Sequence, residues 1–193
     1  NKYFENVKYK GVIDGITRTL FEYTDDLLQS TECEGNSGLF SGEAGLVYIY
    51  ILLYQILKEQ DYLVYAKKHI KILVQLIEGD TKYDIMYGNA GAILSLTGMY
   101  ELTSDKEYLE AAFRAGELLV EAQKENGGWQ SNPDMCPLAG LSHGAAGMVY
   151  AFAKLWKYKR DDTSLYAIKK GLEFENSLFV QEYANWKDER YYK

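Results

Sequence analysis

Two kinds of apolar segment alternate along the chain. Segments of the first kind are apolar nearly all round: "LVYIYILLYQIL" at 46–57, "AILSLTGMYEL" at 92–102 and "MVYAFAKLWKY" at 148–158. Segments of the second kind carry apolar residues at helical spacing, with Lys or Glu filling the other face. They are "YLVYAKKHIKILVQLI" at 62–77, "YLEAAFRAGELLVEAQ" at 108–123 and "SLYAIKKGLEFENSLF" at 164–179. Periodicity of this type predicts helices, and the alternation predicts helical hairpins. A helix apolar on every side needs neighbours on every side, whereas an amphipathic one can cover it from outside. The pattern therefore predicts an all-α protein with an inner layer of buried helices and an outer layer of half-exposed ones, and no sheet. Residues 8–30, "KYKGVIDGITRTLFEYTDDLLQS", read as one more outer helix, whose inner partner would precede Asn1.

A glycine repeat opens each unit. "GLFSGEAG" (38–45), "DIMYGNAG" (84–91) and "GLSHGAAG" (140–147) align without gaps and all end in Gly-x-Ala-Gly. Tyr62, Tyr108 and Ser164 each lie 17 residues beyond the last glycine, and Leu63, Leu109 and Leu165 follow in register. Periods of 46 and then 56 residues mark a helical repeat, with units near 38–83, 84–139 and 140–193 after a leading stretch 1–37. Small residues let the chain turn sharply and let helix starts approach one another. Such turns also gather backbone N–H groups and positive helix ends around one mouth, a setting that suits a developing anion.

Composition narrows the function. The net charge of −7 argues against a general nucleic-acid binder, which needs clustered Lys and Arg. The longest apolar run, "GLVYIYILLYQIL", is shorter than the roughly 20 residues of a membrane span; it reads as a helix buried on all sides. No secretory signal is present, and the two cysteines, Cys33 and Cys136, form no framework, which favours a reducing cytoplasm. Eighteen tyrosines suggest a core with polar handles or a lined cleft.

The register of the repeat also exposes its departures. The residue before Gly-x-Ala-Gly is Ser41, Tyr87 or His143, and the first residue of each segment is Gly38, Asp84 or Gly140. One unit thus carries an Asp and the next a His, both at template positions facing the same end. In adjacent units both could reach one cavity, as acid–base groups, or each could be an ordinary partner of a helix N-terminus. His69 falls within an outer helix and reads as a surface residue. Cys136 precedes His143 by seven residues, but two ligands fall short of a zinc site. "QKENGGWQ" (123–130) reads as a turn with a packing tryptophan.

The glycine segments together resemble successive turns of the lanthionine synthetase C-like proteins. The tail "LEFENSLFVQEYANWKDER" (172–190) resembles the segment that follows in the bifunctional, class II lantibiotic-modifying enzymes. The resemblance implies an α/α toroid of seven hairpins, about four of them represented here. It implies a zinc-dependent cyclase that adds cysteine thiols of a precursor peptide to dehydroalanine or dehydrobutyrine. Asp84 and His143 match the family's active-site aspartate and histidine. The zinc ligands would come from Trp-Cys-x-Gly and Cys-His-Gly turns beyond Lys193. The expectation is therefore a fragment that is inactive alone and binds no zinc, with exposed inner-helix surface that favours oligomers. Two other classes compete. One is another α/α-toroid enzyme, a glycosidase or terpenoid cyclase; the other is a non-catalytic helical array that binds a peptide.

Overall fold

The computed structural model describes residues 7–29 and 35–191. Among them are seven helices: α1 (Val7–Gln29), α2 (Glu43–Leu57), α3 (Gln60–Ile77), α4 (Asn89–Thr103), α5 (Lys106–Ala122), α6 (Ala145–Trp156) and α7 (Asp162–Ser177). α2, α4 and α6 pack side by side as an inner layer, and α3, α5 and α7 each fold back on the inner helix that precedes them. α1 lies against α3. The result is an arc of an α/α toroid.

The sequence repeat is a structural repeat. Gly42, Gly88 and Gly144 are the N-caps of the three inner helices. Their φ values, −130°, −132° and −114°, suit any residue, so space and not backbone angle demands glycine. A Cβ on Gly144 would stand 2.2 Å from the Ala139 carbonyl carbon, and one on Gly91 2.4 Å from the Leu39 nitrogen of the neighbouring turn. Each turn is closed by the same bond, from the last glycine N–H to the first residue's carbonyl: Gly45 to Gly38, Gly91 to Asp84 and Gly147 to Gly140. Neighbouring turns are stitched together. Leu39 N donates to Ile85 O at 2.8 Å, and Ser41 Oγ donates to Met86 O at 3.2 Å. All three turns therefore open at one end of the arc. At the other end α2 and α4 stop alike, on left-handed Lys58 and Ser104, whose N–H groups return to Tyr54 O and Tyr100 O.

The core lies between the layers. Leu96, Met99 and Phe152 of the inner helices meet Ala112, Leu119 and the fully covered Trp129. Trp129 donates its indole N–H to Leu119 O at 2.7 Å, and Gln123 Nε2 holds the same turn through Gly127 O and Ala167 O. This is the packing tryptophan that "QKENGGWQ" suggested.

Two expectations about the elements need correction. α2 is not buried on all sides: Tyr48 and Ile49 are 42% and 37% exposed. α4 has an inner neighbour on each flank and is covered. α2 has only one inner neighbour among the described residues, and its Tyr48 also lines a concave apolar groove that runs across α2, α4 and α6, with Phe40, Leu141 and Tyr150. The chain is also not wholly without strand. α7 ends at Ser177, and Phe179–Val180 pairs antiparallel with Asn185–Trp186. Ala184, at φ +48°, closes the tight turn, and Phe179 packs edge-on against Trp186 at 5.0 Å. Cys33 lies outside the described residues.

Candidate functional site

Each glycine turn is held by a polar side chain from outside its Gly-x-Ala-Gly segment. Asn36 Oδ1 accepts from Gly38 N in the first turn. Asp80 accepts from Lys82 N, Tyr83 N and Asn89 N in the second. Burial holds the Asp80 carboxyl above the ordinary carboxylate range, against the downward pull of those three amides. In the third turn the clamp is Glu175 of α7, whose two oxygens accept from Gly140 N at 2.8 Å and Ala146 N at 3.1 Å. Glu175 is buried and brackets the whole segment that carries His143. Glu175→Gln leaves a single acceptor oxygen, so one buried N–H loses its partner. We expect a loss of about 1–3 kcal/mol, read as a lower thermal midpoint; an unchanged midpoint would mean that water replaces the clamp.

These clamps leave Asp84 and His143 in a different position. The helix N-termini already have partners in Asp80 and Glu175, so neither Asp84 nor His143 is needed as a cap. Asp84 is buried, 2% exposed, at the base of its turn. Its Oδ1 accepts from Tyr87 N at 2.7 Å, and its Oδ2 lies 2.9 Å from His143 Nδ1. A carboxylate only accepts, so the imidazole proton at this contact sits on Nδ1. The ring's other nitrogen, Nε2, makes no hydrogen bond to a described residue. The Tyr87 ring lies nearly parallel to the imidazole, 13° apart with centroids at 5.6 Å. The histidine is thus held by a carboxylate at one edge and an aromatic ring on one face. Its side chain is still 37% exposed.

The exposed part lines a cavity of about 380 Å³, walled also by Lys82, Trp129, Cys136 and Arg190. This space is large enough for a few residues of a peptide. Orientation of a histidine through Nδ1 by a carboxylate, with Nε2 left for a ligand, is the arrangement of an acid–base catalyst.

Other features fall differently from the sequence reading. The positive helix ends offer no amides to a substrate anion here. The first three N–H groups of α4 go to Asp80 Oδ2, Tyr83 O and Asp84 O, and those of α6 to Leu138 O, Glu175 Oε2 and Gly140 O. His69, expected at the surface, is fully buried. Its Nδ1 lies 2.6 Å from Glu43 Oε2 and its Nε2 2.8 Å from Thr24 Oγ1, which also bonds Tyr50 and Leu20 O. The reason is α1, which covers that side of α3: Phe21 stacks on Tyr65 at 3.8 Å, and Asp25 takes bonds from Tyr65 and Lys68. Tyr87, Lys82 and Arg190 were not singled out from the sequence, although all three line the cavity. Arg190 was visible only as the end of the Asn-Trp-x-Asp-x-Arg tail, where Asp188 now pairs with its guanidinium. The tail folds back to form a wall of the adjoining groove, where Trp186 and Lys187 face Leu138 and Ser142.

Cys136 is a free, exposed thiol on the same cavity as His143. The described residues nevertheless contain no group of three or more His, Cys, Asp or Glu side chains placed to hold a metal ion. They do not fit a zinc site.

Comparison with known proteins agrees with the architecture. Thirteen chains of solved structure are similar, among them nisin cyclase, with a TM-score of 0.73 and 20% sequence identity over 95% of this chain. Nisin cyclase is an α/α toroid, and this chain spans 51% of its length. No curated protein matches the sequence significantly. No described helix is long and apolar enough to cross a membrane. The sequence pattern of the lanthionine synthetase C-like proteins matches residues 2–193, and the chain belongs to that family.

Proposed function

We propose that this chain is part of the cyclase domain of a lantibiotic-modifying enzyme, and that Asp84 and His143 are its acid–base pair. The observation that carries the reading is the 2.9 Å contact between Asp84 Oδ2 and His143 Nδ1 at the wall of a peptide-sized cavity, in a chain of this family. The substrate is a precursor peptide whose Ser and Thr residues have been dehydrated. His143 Nε2 removes the proton of a peptide cysteine thiol. The thiolate attacks Cβ of a dehydroalanine or dehydrobutyrine, the S–Cβ bond forms, and the π electrons move onto the carbonyl oxygen as an enolate. The imidazolium then returns its proton to Cα, restoring the carbonyl and closing a thioether ring. Asp84 fixes the ring so that Nε2 faces the cavity and stabilises the imidazolium while it exists.

The resemblance of the tail to class II enzymes extends the proposal. A separate N-terminal domain of the parent dehydrates the peptide, and the whole acts in the cytoplasm. Zinc belongs to the whole enzyme in this reading, with ligands outside this chain. Residues 1–193 on their own are expected to be inactive, to hold clearly less than one zinc per chain after chelator-free purification, and to self-associate through the groove around Phe40 and Leu141. Elemental analysis checks the metal: stoichiometric zinc that disappears in Cys136→Ala would reveal a site at that cavity. The function itself is tested with the full-length protein and a dehydrated peptide. Loss of alkylatable thiols at constant peptide mass supports ring closure, and unchanged thiols contradict it.

A further inference from the structure

The proposed addition builds negative charge on a carbonyl oxygen, and something must meet it. The amides of the two nearest helix starts are taken, as described above. Arg190 reaches the cavity, but Asp188 engages its Nε and Nη2 and offsets its charge. Lys82 also lines the cavity, as an exposed ammonium that strong hydration competes for. Tyr87 differs from these. It lines the same cavity as His143, its ring runs nearly parallel to the imidazole at 5.6 Å, and its hydroxyl makes no hydrogen bond to any described residue. Its backbone N–H is tied to Asp84 Oδ1, and its side chain is 41% exposed, with the ring against the imidazole. In the repeat it stands where the neighbouring turn has His143, so the two side chains project side by side from adjacent turns.

We infer that Tyr87 is a further catalytic residue: its phenol O–H donates a hydrogen bond to the carbonyl oxygen of the dehydro residue and strengthens that bond as the oxygen becomes an enolate. This rests on the reaction proposed for His143. The electron pair of the Cα=Cβ bond moves to the oxygen, the phenol keeps its proton, and His143 supplies the proton that reaches Cα. A phenol suits the task because it donates to an anion without first being ionised near neutral pH. Tyr87 also shields one face of the imidazole, but that second effect belongs to the ring and survives removal of the hydroxyl.

Tyr87→Phe separates the two. It keeps the ring against His143 and deletes only the donor. In the full-length enzyme acting on a dehydrated peptide, we expect kcat for ring closure to fall about 10²-fold, the usual loss for one oxyanion donor. KM and the thermal midpoint should stay at wild-type values, since the bond matters most in the transition state. Tyr87→Leu, which also removes the ring, should be slower still. Ring closure by Tyr87→Phe at the wild-type rate would overturn the inference while leaving the reaction itself standing. So would a loss confined to KM, which would make the hydroxyl a contact no stronger in the transition state than in the ground state. A wild-type enzyme that closes no rings would overturn both.

Discussion

Replacement of His143 by asparagine in the full-length enzyme is expected to slow thioether formation by about 10²–10⁴, the range for a lost acid–base group. Asparagine is the informative choice. Its amide N–H can take the place of the imidazole N–H toward Asp84, so the turn keeps its hydrogen bond. Nothing in it can accept a thiol proton and pass it to Cα. Fold should be preserved, because Glu175 and the glycine turn, not His143, hold the start of α6. Asp84→Asn should slow the reaction less. The carboxylate touches only the far nitrogen of the ring, so its loss costs orientation and charge stabilisation but leaves the proton carrier in place. Dehydration of the peptide should continue in both variants, so dehydrated, uncyclised peptide should accumulate.

The second large effect concerns stability. Glu43→Ala is expected to cost about 1–3 kcal/mol, the range for leaving a buried polar group without its partner. His69 is fully buried and its Nδ1 faces only Glu43 at 2.6 Å. With the carboxylate gone, a polar nitrogen is left in an apolar setting between α1, α2 and α3. Glu43→Gln, which keeps shape and a hydrogen bond, should cost less. Urea unfolding followed by far-UV circular dichroism measures both. A loss below about 1 kcal/mol for Glu43→Ala, the level of an exposed pair, would mean that water reaches His69.

The two histidines show what a sequence can and cannot disclose. His143 stood out as the one ionisable residue at a position where the other turns carry Ser41 and Tyr87, and the family resemblance pointed to the same residue. Its partner was found the same way, because Asp84 stands where the other turns have glycine. Their distance followed from the stacking of adjacent turns. His69 was misplaced because α3 was read as an isolated outer helix, although its spacing from Tyr62, Ala66 and Leu73 puts it on the buried stripe. That stripe faces α2, which brings Glu43 and Tyr50 to His69, and α1 closes over it with Thr24, a contact over some 45 residues that no local pattern records. The exposure of α2 has a similar origin, since an all-apolar helix states its need for neighbours and not their number. The small hairpin after α7 was missed for a local reason: no glycine, proline or Asn-Gly pair in "LFVQEYANW" marks its turn, which Ala184 closes in the left-handed region. Tyr87 was invisible as a functional residue because tyrosine is so common in this chain. Only its place beside the imidazole distinguishes it.

The central claim is that His143, oriented by Asp84, carries the proton in ring closure. It is tested most directly by counting free thiols by alkylation and mass spectrometry, with dehydrated peptide incubated with the wild type, Asp84→Asn, His143→Asn and the double variant, and with thermal midpoints measured in parallel. If Asp84 acts through His143, the double variant should be no slower than His143→Asn alone, because groups that work as one unit are not additive. All four proteins should melt at similar temperatures. His143→Asn that closes rings at the wild-type rate, in a protein of unchanged stability, would contradict the account.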